Sequence, residues 1–259
     1  MRRLIVIGLL LAAGGCASTG PATADYAPKR QSSADAKVTA HAQSHADLAA
    51  GYYELGKYAI ALEEANAAVQ VDPDYAPAYR VLGMTYMALH DDRNAEQSFQ
   101  RALRLDPADP DSNDSYGLFL CQRKREQEGI KYFLAALRNP LYTTPEKSWV
   151  NAGVCADQIG DTAAAEDYFQ KAIRLNPSQP QALYHLAQIA YRRGDFPAAK
   201  SYLLRLPPEV APNAGLLWLE LRIERHLGDR DAEASYGFQL RKNFPDAPET
   251  QALRAGHYE

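Results

Sequence analysis

The sequence predicts an all-α protein in which about six helical hairpins stack into a right-handed superhelical solenoid. Three observations predict this class. Alanine, leucine and tyrosine are abundant while the β-branched residues are sparse, which favours helices over sheets. Prolines that can end a helix recur at multiples of 34 to 35 residues, at Pro73, Pro107, Pro177 and Pro245. Small and large apolar residues alternate in phase with these prolines, as stacked helical hairpins require.

The overall composition excludes several classes of protein. The chain has 259 residues, 46% of them hydrophobic, so it can bury a core and is neither disordered nor collagen-like. Its net charge of −4 provides no basic surface for nucleic acid. Three cysteines are too few for a disulfide scaffold, and their spacing suits no zinc ribbon.

The first residues have the pattern of a bacterial export signal. Arg2 and Arg3 precede an apolar stretch at residues 4–13, which is shorter than the roughly 20 residues of a membrane-spanning helix. Small residues then lead to Cys16, and this AAGGC run resembles the lipobox of bacterial lipoproteins, with alanine where leucine is commoner. The alternative is an ordinary secretory signal with a chance cysteine.

The lipobox resemblance implies a lipid-anchored protein. It implies cleavage before Cys16, a diacylglycerol on the sulfur of Cys16, and a fatty acyl chain such as palmitate on the same residue. Several acyl chains make release from a membrane slow. Ala17 follows the cysteine, which in enteric-type bacteria implies export to the outer membrane, facing the periplasm. We expect no other cofactor.

The segment after Cys16 predicts a tether. Residues 16–41 contain Ser, Thr, Pro, Gln and Ala without apolar periodicity, so they cannot bury enough surface to offset chain ordering. We interpret them as a flexible spacer, with a poorly marked helix at residues 33–41 as the alternative. The repeat domain is predicted to cover residues 42–256, and residues 248–256 are expected to form a short closing helix.

The repeat itself resembles the tetratricopeptide repeat. The second repeat is the most complete, and its matching residues are Tyr79, Leu82, Gly83, Tyr86, Ala95, Phe99, Ala102 and Pro107. Small residues let two antiparallel helices approach closely, and large ones fill the gaps between them. Gly56 and Gly160 suit turns that need a positive φ, and Pro207 with Pro208 is expected to shorten the second helix of repeat five.

This resemblance implies a concave groove lined by the first helix of each hairpin. Carried onto this chain, the groove positions predict a partner-binding surface that includes Tyr53, Arg80, Met84, Met87, Leu118, Val154, Tyr184 and Tyr191. The same positions also give Asp114, Cys121, Val150, Asp157, Arg192, Trp218, Arg222 and Arg225. The amino-terminal half of this groove is apolar, and its carboxy-terminal end is basic and aromatic, which favours an amphipathic or extended partner segment. The alternative is that these side chains only complete the core beneath neighbouring helices.

Two cysteines are predicted to form a disulfide. Cys121 and Cys155 fall on the first helices of repeats three and four, and about two extra residues between those repeats bring the two positions opposite each other. An exported chain meets oxidising conditions. Two buried free thiols are the alternative.

No motif in the sequence predicts catalysis. Residues 51–57 (GYYELGK) imitate a phosphate-binding loop, but Tyr58 stands where Ser or Thr is needed and no strand precedes the segment. His41 and His45 have helical spacing without a third metal ligand. We therefore expect no enzyme, no metal, no small-molecule substrate and no nucleic acid partner.

Two further segments resemble one family. Residues 113–121 (NDSYGLFLC) and 234–240 (ASYGFQL), the latter followed by Phe244 and Pro245, are similar to the PilF/PilW family of type IV pilus biogenesis lipoproteins, or pilotins. The resemblance covers nearly the whole mature chain. It implies that the chain binds the type IV pilus secretin and promotes its localisation and assembly in the outer membrane. The alternative is an envelope scaffold for other partners, such as cell-wall enzymes.

Overall fold

The computed structural model describes residues 33–258, which form thirteen α-helices and, within that range, no strand. In chain order the helices are α1 (Ser33–Glu54), α2 (Tyr58–Val71), α3 (Ala76–Ala88), α4 (Asp92–Leu105), α5 (Pro110–Gln122), α6 (Glu126–Ala136), α7 (Pro145–Gln158), α8 (Thr162–Leu175), α9 (Pro180–Arg192), α10 (Phe196–Leu203), α11 (Ala214–Leu227), α12 (Arg230–Asn243) and α13 (Pro248–Ala255).

The first twelve helices form six consecutive hairpins, α1–α2 through α11–α12, and each hairpin packs on the next. This confirms the predicted all-α solenoid. The short α13 packs on both helices of the last hairpin, as expected for a closing helix at the end of a repeat array. Helix α10 ends at Leu203, ahead of Pro207 and Pro208, so the early stop predicted for repeat five is confirmed.

Local sequence signals fix where the helices begin. The second helices of four hairpins start after an aspartate whose side chain accepts the backbone N–H three residues later, a standard N-cap. These four aspartates are Asp91, Asp161, Asp195 and Asp229. Several first helices instead begin with a proline in the first turn, where its missing N–H costs nothing.

The turn inside each hairpin needs one residue with positive φ. Gly56 and Gly160 occupy it at 69° and 78°, which confirms their predicted role. Gly194 and Gly228 do the same in later repeats. Repeats two and three place non-glycine residues, His90 and Lys124, at this position.

Within a hairpin the two helices meet at small residues. Ala95, Ala102, Ala165 and Ala172 are fully buried where the second helix faces the first. Opposite them, a Cβ built on Gly83 would lie 2.7 Å from the ring of Phe99. The small-and-large pattern of the sequence is therefore the pattern of helix contact.

The predicted boundary at residue 42 is wrong. Helix α1 begins at Ser33, so the alternative of a helix at residues 33–41 is the one the structure shows. Extension of a formed helix costs far less than nucleation, and no Gly or Pro interrupts residues 33–50. The Thr39 hydroxyl also donates to Asp72 Oδ2 at 3.2 Å. The predicted export signal at residues 1–15, Cys16 and the predicted tether up to residue 32 lie outside the described residues.

Candidate functional site

The first helices form the inner side of the solenoid. The backbone of each first helix lies close to that of the first helix of the next hairpin, from α1–α3 through α9–α11. Within the described part of the chain, the backbones of successive second helices lie farther apart. In a curved stack the elements that touch along the array lie on its shorter, concave side. The groove predicted from the repeat pattern is therefore lined by α1, α3, α5, α7, α9 and α11.

One side chain from each first helix forms the floor of this groove. We call these six residues the floor row: Ala50, Met84, Leu118, Val154, Gln188 and Arg222. They are 34 residues apart except at the step from Leu118 to Val154, which is 36, and every one is partly exposed. The floor row is apolar through the first four repeats, then carries an amide, and ends on a guanidinium.

Most of the predicted groove residues face this surface. Tyr53, Arg80, Met84, Leu118, Val154, Tyr184 and Tyr191 are all partly exposed. The Arg80 guanidinium donates to the sulfur of Met84 at 3.5 Å, so the second repeat presents a basic and an apolar group side by side. Leu118 and Val154 pack their inner sides on the core and leave the rest accessible.

Met87 is a core residue, and its predicted place on the groove is wrong. Its exposure is only 9%, because it packs with Phe99, Tyr116 and Phe119 beneath the next repeat. The repeat pattern also assigned three other residues to the groove that are buried in the structure: Val150, Cys121 and Trp218. For these residues the alternative reading, that they complete the core, is the observed one.

Asp114 joins repeats three and four at the edge of the groove. The Ser148 hydroxyl donates to its carboxylate, and the Asn151 amide lies 3.3 Å from both of its oxygens. Burial raises the pKa of Asp114, and the Ser148 and Asn151 hydrogen bonds oppose that shift. Ser148 and Asn151 were not predicted from the sequence, although Ser148 lies one repeat length beyond Asp114.

Cys121 and Cys155 are joined by a disulfide in the structure, with their Cα atoms 5.9 Å apart. They lie on α5 and α7, next to the Asp114 cluster. The longer loop before α7 produces this pairing, because it shifts repeat four by two residues relative to repeat three. Whether the bond forms in the cell stays a prediction.

The carboxy-terminal end of the groove is basic and aromatic. The guanidinium of Arg222 lies 4.6 Å from the Tyr191 ring centre and 5.5 Å from that of Trp218. Arg192 pairs with Asp157 at 2.6 Å, which ties α9 to α7. The repeat pattern predicts these residues on the groove. It does not predict His257 and Tyr258, which follow α13 and lie beyond the repeats.

Outside the groove, the described residues offer no arrangement of side chains that suggests a metal site. In the part of the chain that the structure describes, no group of three or more His, Cys, Asp and Glu side chains is arranged to hold a metal. His45 lies 2.6 Å from Glu64 and near the ring of His41. No helix within residues 33–258 is long and apolar enough to cross a membrane.

The fold and the groove define a tetratricopeptide repeat protein, a class that mediates contacts between proteins. The tetratricopeptide repeat family matches residues 47–110, 85–142 and 159–217.

Relatives that match most of this chain show to which family of tetratricopeptide repeat proteins it belongs. The solved structure of PilW, described as a widely conserved type IV pilus biogenesis factor, is 31% identical with a TM-score of 0.74, over 82% of this chain and 98% of that one. The structure of PilF from Pseudomonas aeruginosa is 28% identical with a TM-score of 0.80, over 85% of this chain and 99% of that one. The P. aeruginosa type IV pilus assembly protein PilF is 28% identical over 98% of both chains. The chain belongs to the PilF/PilW family, and it is a tetratricopeptide repeat protein of type IV pilus biogenesis.

Proposed function

We propose that this chain is an outer-membrane lipoprotein that binds the type IV pilus secretin in its groove and promotes secretin localisation and multimer assembly. The observation that carries the proposal is the apolar half of the floor row. It is a strip of four partly exposed apolar side chains on the concave side of a protein whose relatives act in pilus assembly.

The strip suits a partner segment with apolar side chains. Met84, Leu118 and Val154 are half-buried, so their positions are fixed by the core while one side of each remains open to a ligand. Burying apolar surface contributes about 25 cal/mol per Å² before the costs of association. The unbranched methionine adapts to different partner shapes. An amphipathic helix or an extended segment along the groove would use this row of contacts.

Membrane attachment is assigned to Cys16 on the basis of the lipobox resemblance. With the lipid on Cys16 and recognition in the groove, one chain would couple a membrane address to a bound secretin subunit. A subunit held by the groove then stays near the membrane that holds the lipid, which raises its local concentration there.

The groove assignment is tested by a double substitution, Met84→Asp with Leu118→Asp. We expect the folded variant to lose capture of the secretin from detergent-solubilised envelopes, because two buried charges cannot be desolvated at an apolar interface. Leu141→Asp is the matched control, since Leu141 is 84% exposed in the loop before α7. Capture equal to that of the control contradicts the groove assignment. Recovery of cell-wall enzymes in place of the secretin favours the envelope-scaffold alternative.

The anchor is tested separately with Cys16→Ala. We expect this variant to fold and bind the secretin but to leave it away from the outer membrane, as measured by membrane fractionation. Normal secretin placement in this variant would refute the anchoring mechanism while leaving the groove assignment intact.

A further inference from the structure

A pocket of about 610 Å³ lies where the groove ends at the last repeat. Its wall is formed by α9, α11 and the segment after α13, and its lining residues are Tyr191, Arg222, Arg225, His226, Gly256, His257 and Tyr258. Gly256 ends α13 with a φ of 72°, and the chain then turns back across α11. The pocket is separate from the apolar half of the floor row.

The returning segment is held in place by stacking. The Tyr258 ring lies 5.9 Å from the Trp218 ring at an interplanar angle of 16°, and the Arg225 guanidinium is 3.8 Å from the Tyr258 ring centre. The His257 backbone N–H donates to the carbonyl of Ala252 at 2.9 Å. These contacts give the pocket a fixed wall on the side where the repeat pattern ends.

Among the described residues, Arg222 is the arginine of this pocket that has no carboxylate partner. Arg225 pairs with Glu233 at 2.7 Å, and Arg192 nearby pairs with Asp157. Among residues 33–258, by contrast, no carboxylate oxygen lies within 4.0 Å of a nitrogen of Arg222, and its buried Nε has no hydrogen-bond partner. Because Arg222 makes no salt bridge within residues 33–258, a ligand that accepts from the accessible part of its guanidinium gains the interaction without displacing an existing one.

The geometry around Arg222 favours a planar acceptor of single negative charge. The nearby rings of Tyr191 and Trp218 restrict the movement of the guanidinium and leave its edge to form hydrogen bonds. A guanidinium edge matches the two oxygens of a carboxylate. The Tyr191 hydroxyl lies 3.4 Å from His226 Nε2, which places further polar groups at the rim. One unmatched positive charge balances one carboxylate, whereas a phosphate group would bring more charge than the pocket offsets.

We propose that this pocket binds a carboxylate of a peptide, with Arg222 as its principal donor. Arg222 is also the last residue of the floor row, so a peptide lying along the groove reaches it by continuing past Gln188. The carboxylate is an Asp or Glu side chain or a peptide C-terminus. The proposal stands on the pocket alone and does not depend on the secretin being the partner.

The test is a peptide titration of the full chain purified in detergent. The chain has two tryptophans, so Trp149→Phe leaves Trp218, which touches Arg222, as the single fluorescent reporter. Three short acetylated peptides of Gly and Phe serve as probes. The first has a central Asp and an amidated end, the second has Asn in its place, and the third has Asn with a free C-terminus.

We expect at least one carboxylate-bearing peptide to bind about tenfold or more tightly than the amidated Asn peptide, as charge-assisted hydrogen bonds predict. Preference for the first or third peptide identifies a side-chain or a terminal carboxylate. Equal affinity for all three overturns the proposal, and this comparison needs no variant of Arg222.

The residue assignment is tested by Arg222→Met, which keeps a long side chain between the two rings but removes the charge. We expect it to reduce carboxylate binding to the level of the amidated Asn peptide. Arg174→Met is the matched control, since it removes an exposed arginine of α8, a second helix that does not line the groove or the pocket. Undiminished binding by a folded Arg222→Met variant contradicts the assignment, and its fold is checked by circular dichroism. Because neither substitution alters Met84 or Leu118, failure here leaves the secretin proposal unaffected.

Discussion

Gly153 lies directly against the aromatic ring of Phe169, so that a Cβ added to Gly153 would come within 2.6 Å of Cε1 of that ring. Gly83 has the same relationship with Phe99 two repeats earlier. Both phenylalanines are fully buried. These two hairpins are therefore closed by a glycine on the first helix and a phenylalanine on the second, and this contact sets the separation of the two helices.

Gly153→Ala is expected to destabilise the protein by about 1–3 kcal/mol, because the ring of Phe169 has no free space into which it can move. The free energy of unfolding from urea titration measures this. The matched control is Gly51→Ala on α1, where nothing lies within 4 Å of the new Cβ. There the same substitution should stabilise the helix by about 0.5–1 kcal/mol. Equal effects at the two sites would contradict the packing argument.

Lys124→Gly is expected to raise the free energy of unfolding by about 0.5–1 kcal/mol. Lys124 has a φ of 59° at the turn position that glycine fills in four other repeats. A left-handed conformation costs a non-glycine residue about 1–2 kcal/mol, and the greater freedom of glycine in the unfolded chain offsets part of the gain. Gly194→Ala serves as the reverse experiment and should lower stability. Loss of stability in Lys124→Gly would show that the lysine side chain contributes more than the strain it imposes.

The repeats were predictable from sequence because their period and packing depend on local residue types. Prolines at helix ends, turn glycines such as Gly160, and small residues such as Ala165 each have one structural role, so the fold follows from their spacing. The start of α1 was not predictable in the same way, since residues 33–41 have little apolar periodicity and are helical by continuation.

The candidate site was only partly predictable. A groove position in the repeat pattern specifies the direction of a side chain, but its exposure depends on how closely the next hairpin packs. Met84 and Met87 show this, because only Met84 stays accessible. The carboxy-terminal pocket depends on Tyr258 folding back onto Trp218, a contact between segments for which the repeat has no equivalent.

Truncation of Met87 should lower the stability of the protein much more than truncation of Met84. Met87→Ala is expected to cost about 2–4 kcal/mol of stability, since it leaves a cavity among Phe99, Tyr116 and Phe119. Met84→Ala should cost less than about 1 kcal/mol, because that side chain is already partly in water. Secretin capture should show the reverse order, with Met84→Ala the more impaired. A large loss of stability in Met84→Ala would show that Met84 is a core residue and would contradict its assignment to the groove.

Glu220 makes stability depend on pH near neutrality. Burial, and secondarily the charge of Glu224, raises the pKa of Glu220 from 4.5 to about 7. Glu224 itself pairs with Lys200 at 2.8 Å. The folded state then holds this proton more tightly than the unfolded state, and stability falls as pH rises from about 4.5 to 7.

The substitution Glu220→Gln should remove this pH-dependent loss of stability. As the pH rises from 4 to 8, the free energy of unfolding of the variant should increase by about 1–2 kcal/mol relative to that of the parent. This value is smaller than the full linkage energy because the Glu220 side chain is partly exposed. Chemical denaturation at several pH values measures it. Glu63→Gln, at an exposed position on α2, is the matched control. The same pH dependence in Glu220→Gln and in this control would contradict the raised pKa of Glu220.

The Cys121–Cys155 bond should stabilise the central repeats. Its sequence separation of 34 residues corresponds to about 3–4 kcal/mol in the chain-entropy account of disulfides. Reduction, or the double substitution Cys121→Ala with Cys155→Ala, should lower the free energy of unfolding by that amount, and the double variant should be insensitive to reductant. Two alkylatable thiols at Cys121 and Cys155 in the mass spectrum of the unreduced exported protein would contradict the bond.

Because Asp114, Ser148 and Asn151 join the same two helices as the disulfide, reduction should leave the hairpins folded and loosen the contact between α5 and α7 first. Hydrogen exchange would show this as faster exchange in those two helices than in α1 or α11.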